Sequence, residues 1–315
     1  MGLSRRWGAW AVVLVLALTF LLFDSGLDVD YVIPKRLGRL AAMLIGGVCI
    51  AWSSILFQTI TGNRILTPAV MGYEAVYLLL QSLLVLTLGA QSLVLLDANA
   101  NVLLSMLLML GYAWAMQRWL LRDGQQDVYF LLLLGLVLTM VIGTVTQFVQ
   151  FAVSPGEFSV LLGYSQASFA RAAPTQLLLA ALLVGGVSLV LYRQLPTLDV
   201  LSLGRDQATS LGVDYPRKVR LYLALIAILV AVSTSLLGPT AFMGIFVANT
   251  AYALARTFNH RTTLPVGCAV AIGIFICAQL AVEHLFNYHT TVGILINLVC
   301  GAWFLALMMR TRGAA

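Results

Sequence analysis

Apolar runs of bilayer length follow one another along nearly the whole of this sequence, near residues 7–23, 38–57, 69–89, 99–119, 128–151, 174–192, 219–237, 240–255, 264–282 and 292–309. A hydrocarbon core about 30 Å thick needs roughly 20 apolar residues of helix to cross it. Inside lipid, each segment must also satisfy its own backbone hydrogen bonds, which single helices can do. The pattern therefore predicts an all-α polytopic membrane protein of about ten transmembrane helices, a single transmembrane domain over 1–315. Charge is correspondingly scarce: 10% of the 315 residues are charged, against about 25% in soluble domains. The run at 240–255 is the shortest, and only Gly238-Pro239 separates it from the one before.

Orientation follows from the bases. Arg5 and Arg6 precede an apolar run and imitate a secretory leader. Asp24-Ser25-Gly26-Leu27-Asp28 follows with no small-x-small cleavage site, so the run is expected to be retained as the first span. With the amino terminus inside and spans alternating, fourteen of the eighteen Lys and Arg residues fall on the cytoplasmic side, Arg122 among them. That bias predicts both termini in the cytoplasm. The net charge of +6 is then a matter of membrane orientation. No basic patch interleaved with aromatics appears, which excludes a nucleic-acid partner. Cys49, Cys268, Cys277 and Cys300 lie in apolar runs without CxxC pairing and read as small core hydrophobes.

Four bases fall outside: Lys35, Arg36, Arg39 and Arg171. The first three cluster just ahead of the second span, with Arg36 and Arg39 three apart on one helical face. They are either interfacial anchors with snorkelling side chains or a cationic seat for acidic groups of an external partner. Glu74 lies about one turn into the third span, close to an interface. In the fifth span Gly143, Thr146, Gln147 and Gln150 share a face that either lines an aqueous path or packs tightly on a neighbour. Glu283, His284 and His289 form a sparse cluster with no fourth metal ligand. No G-x-x-x-x-G-K-[ST], G-x-S-x-G or HExxH motif occurs, so no catalytic residue, cofactor or ATP-binding loop is assigned. An ion-coupled secondary transporter would need buried ionisable groups near the midplane, where Glu74 is the one candidate.

One polar interruption breaks the apolar pattern, at about 193–220. Thr197 is placed as an N-cap after Pro196, with Leu198 and Leu201 three apart on one face. Gly204 allows a bend. Ala208 and Leu211 follow, and Gly212 stands where a helix C-cap glycine would. The stretch predicts two short helices with a few exposed apolar residues, either a docking knob for another protein or a solvated loop.

Five segments resemble one family. R-L-G-R-L-A-A-M-L-I-G-G (36–47), S-S-I-L-F-Q-T-I-T-G-N-R-I-L-T-P-A-V-M-G (53–72), L-S-L-G-R-D-Q-A-T-S-L-G-V (201–213), G-P-T-A-F-M-G-I-F-V-A-N (238–249) and T-V-G-I-L-I-N-L-V-C-G-A-W-F (291–304) are similar, in order and spacing, to the FecCD-type permeases of iron-siderophore and cobalamin ABC importers. The resemblance implies a transport subunit rather than an enzyme, in a bacterial inner membrane, with ATP hydrolysed by two separate ATPase subunits. It implies that Leu198, Leu201, Leu203, Gly204, Arg205, Asp206, Ala208, Leu211 and Gly212 form the ATPase-coupling element. It also implies that Arg36 and Arg39 receive acidic residues of a periplasmic siderophore-binding protein, and that Gly143, Thr146, Gln147 and Gln150 line the pathway. The family's RLPR is RLGR here, its N-P-L-A is N-R-I-L, and its Pro-His is Ala248-Asn249. These departures resemble the branch with two different permease subunits, which implies a non-identical second permease. The implied cargo is a ferric siderophore of catecholate type, with cobalamin or haem as the alternative.

Overall fold

The computed structural model describes residues 2–23, 30–89, 98–120, 128–240 and 242–312. The segment Asp24–Asp28 and Arg122 lie outside the described residues. Among the described residues twelve α-helices carry the fold: α1 (Gly2–Leu22), α2 (Val32–Thr61), α3 (Tyr73–Leu88), α4 (Ala98–Leu120), α5 (Val128–Phe151), α6 (Pro155–Ser165), α7 (Pro174–Leu201), α8 (Arg205–Ser210), α9 (Tyr215–Leu237), α10 (Met243–Ala255), α11 (His260–Leu280) and α12 (Val292–Arg312). A 3-10 turn (Pro68–Met71) enters α3, and a π turn (Ala281–Leu285) ends α11. All described elements are helical, as the apolar pattern requires. Among the described residues six helices are long and apolar enough to cross a membrane, and four shorter apolar stretches lie in α1, α3, α10 and α12.

The centre is α2, which packs along α9 and α11. In lipid there is little hydrophobic drive between helices, so close van der Waals fit and interhelical hydrogen bonds hold them together. Gly47 supplies the fit: a Cβ there would lie 2.7 Å from Ile272 Cγ1 and 3.2 Å from the Ile272 backbone nitrogen. Gly267 of α11 answers it, with Ile55 of α2 filling the space a side chain would need.

A second group of helices is fastened by polar contacts. Gln81 of α3 donates to Asn101 Oδ1 (3.0 Å) and Ser105 Oγ (3.1 Å) of α4. Gln150 of α5 donates to Ser82 of α3 at 3.2 Å. The 3-10 turn sits directly on Gly135 of α5, where a Cβ would come within 3.0 Å of Met71 Cα. Tyr112 of α4 then donates to the Met71 carbonyl at 2.8 Å.

Two expectations change. The helix start predicted at Thr197 does not exist: α7 runs unbroken through Pro196 to Leu201. A helical proline leaves a carbonyl unpaired, and neighbouring helices in a bundle can brace such a site. The carbonyl that Pro196 itself leaves without an N–H is that of Tyr192; α9 braces the adjoining turn at Gln194, with the Tyr222 hydroxyl donating to its carbonyl (2.8 Å) and Lys218 Nζ to its side chain (2.7 Å). The second change is α6, which the apolar pattern does not foretell because it is too short to span. Its start is written in S-P-G-E, residues 154–157. Ser154 Oγ accepts from the Glu157 N–H and donates to the Glu157 carboxylate at 2.7 Å, with Pro155 in the first turn.

Candidate functional site

The interruption at 193–220 folds as the last turns of α7, a tight turn and the single short helix α8. Gly204 takes φ +98° at the turn and Gly212 φ +82° beyond α8, both in the region that favours glycine. Val213 N–H closes on the Ala208 carbonyl (3.0 Å) and Gly212 N–H on that of Thr209 (2.9 Å), a Schellman end. Leu198, Leu201 and Ala208 are buried and seat the element between α7 and α9. They are therefore not the exposed apolar residues expected there. Leu203 and Leu211 are, at 53% and 64% exposure. Between them Arg205 and Asp206 face outward. The result is a rigid ledge with two protruding leucines.

Directly beside the ledge lies a connection that the sequence reading missed. Asp199, in the last turn of α7, accepts from the His260 backbone N–H at 3.0 Å and meets His260 Nδ1 at 2.5 Å. His260 Nε2 lies 2.8 Å from Thr59 Oγ1 near the end of α2. One buried imidazole thus ties α7, α11 and α2 together where α8 begins. Nothing in the spacing of Thr59, Asp199 and His260 signals their meeting. The signal available was a lone histidine at a helix start next to Asn259, whose side chain caps α11.

At the opposite end of α2 the two arginines part ways. They lie inside α2, whose first turn begins at Val32, not ahead of it. Arg36 is buried, and its Nη1 donates to the carbonyls of Phe20 (2.7 Å) and Phe23 (2.6 Å). A cation there satisfies carbonyls that a helix end leaves open, so Arg36 fastens α1 to α2 and is not a free cationic seat. Arg39 is partly exposed and pairs with Glu283 at 2.8 Å. Gln279 donates to the same carboxylate oxygen at 2.6 Å. His284 is turned away, edge-on to Phe23 at 4.9 Å. Among the described residues no three His, Cys, Asp or Glu side chains gather as metal ligands. Arg39 also opens onto a cavity of about 600 Å³ that Tyr164, Gln166, Arg171, Gln279 and Tyr288 help to line.

The polar face of α5 is divided rather than continuous. Thr146 is buried and its hydroxyl returns to the Ile142 carbonyl (2.8 Å), and Gln150 is held by Ser82. Gln147 is exposed, and a Cβ on Gly143 would meet nothing within 4 Å. Glu74 accepts from the Thr240 N–H at 3.0 Å, joining α3 to the α9–α10 turn. Two of the departures from the family motifs prove to be neighbours. Asn249 donates to the Arg64 carbonyl at 2.9 Å, and the Arg64 guanidinium lies 5.2 Å from the rings of both Tyr252 and Phe258.

The described residues thus form a bundle of apolar helices with an ordered polar ledge at one end and a polar cavity at the other. The model of the FecCD transport family matches residues 6–310, and the chain belongs to that family. It is 34% identical to the petrobactin import system permease protein YclO of Bacillus subtilis strain 168, over 92% of this chain and 92% of that protein. It is 22% identical to YclN, a petrobactin import system permease protein of the same organism, over 93% of this chain and 91% of that one. A solved ABC transporter in an inward-facing conformation shares the fold, with a TM-score of 0.86 at 18% identity over 98% of this chain and 99% of the solved one. The chain is thus a permease subunit of an ABC transport system, not itself an enzyme.

Proposed function

We propose that this chain is one half of a two-permease pore that imports a ferric siderophore, of catecholate type, across the bacterial inner membrane. Both termini and the α8 ledge face the cytoplasm, and the Arg39 end faces outward, in keeping with the distribution of Lys and Arg. Two ATPase subunits on separate chains receive α8, with Leu203 and Leu211 as the contacts and Arg205 and Asp206 at the rim. ATP-driven closure of those subunits shifts the pore between outward- and inward-facing states through contacts that differ between them. A periplasmic siderophore-binding protein docks at Arg39, and the α5 face bearing Gly143 and Gln147 contributes to the pathway. The second permease is a non-identical chain. The difference in identity to YclO and YclN, two petrobactin permease proteins of one organism, supports that pairing.

The observation that carries this reading is the α8 ledge itself. Two large apolar side chains, Leu203 in the turn before α8 and Leu211 directly after it, protrude from an element whose Leu198, Leu201 and Ala208 are buried, an arrangement suited to a groove on a partner. The test is uptake of radioactive ferric siderophore into proteoliposomes holding this chain, a second permease, the ATPase and the binding protein. Leu203→Asp with Leu211→Asp is expected to abolish ATP-dependent uptake and retention of the ATPase while leaving the thermal midpoint of the chain unchanged. Uptake that survives the double substitution, or that follows an ion gradient without ATP, overturns the reading.

A further inference from the structure

A lateral groove of about 680 Å³ runs between α1, α11 and α12. Its floor is one face of α11, carrying Ala269, Gly273, Cys277 and Ala281 on successive turns, and every residue along it is apolar. Val12 of α1 and Val299 of α12 stand on its rims at 59% and 52% exposure, so it opens sideways toward the bilayer. Water does not occupy an apolar recess, and an empty one forfeits dispersion contacts with its walls. Hydrocarbon therefore fills it. Between Ala269 and Ala281 the floor rises about 18 Å, which leaves the groove a cross-section of about 40 Å². A helix about 10 Å across needs about twice that area, so the groove fits an acyl chain and not a partner's helix.

The groove does not end in hydrocarbon. Ala9, Val12 and Leu254 also line a second recess, of about 370 Å³, that reaches Gly8, Val266 and Arg256. Arg256 closes α10 at φ +48°, where a helix end ordinarily takes glycine. It is exposed, and the ion pairs among the described residues do not include it. No carboxylate among the described residues lines either recess. Trp7, next to Gly8 on α1, is 67% exposed, as suits a side chain at the boundary between membrane and water. The base thus stands at headgroup depth, at the mouth of an acyl-chain groove.

We propose that this groove binds one phospholipid, its acyl chain lying along α11 and its headgroup phosphate on Arg256. Hydrocarbon alone would fill the groove and water alone would solvate the arginine. Their continuity through Ala9, Val12 and Leu254 fits a molecule that carries both a chain and a phosphate. An arginine meets a phosphate with paired, charge-assisted hydrogen bonds. The lengths agree as well. From Val266 to Ala281 α11 rises about 22 Å, beyond the roughly 15 Å of one leaflet, so one chain is sheltered over its full depth. Bound there, the lipid fills the gap between α1 and α12 and holds α1 against the bundle.

The test uses the full chain in detergent, offered equal amounts of dioleoyl phosphatidylglycerol and dioleoylglycerol, which share acyl chains and differ in the phosphate. Native mass spectrometry reads which is retained. One phosphatidylglycerol is expected to stay bound, about tenfold in preference to the diacylglycerol. Arg256→Gln is expected to erase the preference while leaving the thermal midpoint of the lipid-free chain unchanged. In Gly273→Leu the added side chain enters the groove, where a Cβ touches only Leu16 and Val13 at 3.9 and 4.0 Å, and retention of both lipids is expected to be lost. Equal retention of the two lipids by the unsubstituted chain, or a preference that survives Arg256→Gln, would show unselected bilayer lipid and overturn the site. So would a lipid that Gly273→Leu still retains, or one that a second permease displaces on binding.

Discussion

Helices α9 and α5 are 23 and 24 residues long, and their apolar windows have the same mean hydropathy, 2.1. Yet 78% of the α9 window is buried within the chain against 22% of the α5 window. Hydropathy determines that both helices enter the bilayer. It does not determine what they touch there. The difference lies in side-chain size. Helix α9 buries Ser233 and Thr234 beside Ser53 and Ser54 of α2, small residues of the kind that let helices come close. Helix α5 presents Met140, Phe148 and Phe151, at 67%, 78% and 90% exposure. The first is interior to the subunit, and the second is an exposed face of it.

The same truncation in the two helices tests that division most severely. Leu229 of α9 is fully buried, and Leu229→Ala is expected to destabilise the chain by about 2–5 kcal/mol, the range for a buried leucine that leaves a cavity. Leu133 of α5 is 59% exposed, and Leu133→Ala is expected to change stability by less than about 0.5 kcal/mol. Chemical unfolding of each variant in mild detergent measures both. Similar losses at the two positions would break the distinction.

Much of the bundle was legible because lipid imposes a simple rule. The ten apolar runs all correspond to helices, and glycines at 204 and 212 mark turns that need positive φ. What failed did so for identifiable reasons. Pro196 signalled a helix break, but Tyr222 and Lys218 reach across from α9 to brace the turn, and tertiary contacts of that kind leave no local trace. Arg36 and Arg39 look alike three residues apart. Only the folded chain separates a cation bound to α1 carbonyls from one paired with Glu283, 244 positions away. The N-cap of α6 was readable in S-P-G-E but carried no apolar run to draw attention to it.

A smaller effect sharpens the comparison at α7, which resembles α5 in having only 28% of its window buried. Unlike α5, it is clamped at the α8 end by Asp199 on His260. Asp199→Ala leaves the His260 backbone N–H and ring nitrogen without their acceptor, and is expected to cost about 1–3 kcal/mol. Asp199→Asn keeps an acceptor oxygen and should cost less. Hydrogen exchange at the start of α11 distinguishes a local loss from a global one, since faster exchange confined to residues near His260 marks the clamp itself. If Asp199→Ala leaves both exchange and midpoint unchanged, α7 is held by its apolar contacts alone.

The smallest expected effect falls on Gly143. In the isolated chain a Cβ there meets nothing within 4 Å, and replacing a mid-helix glycine by alanine removes backbone freedom from the unfolded state. Gly143→Ala is therefore expected to stabilise the chain by about 0.5–1 kcal/mol. Gly47→Ala, against the Ile272 backbone, should do the reverse. The informative measurement repeats Gly143→Ala with the second permease bound. If α5 faces lipid or an open pathway, the gain persists in the complex. If the partner's backbone comes close at Gly143, the added methyl group has to displace it, and the gain becomes a loss of affinity between the two permeases.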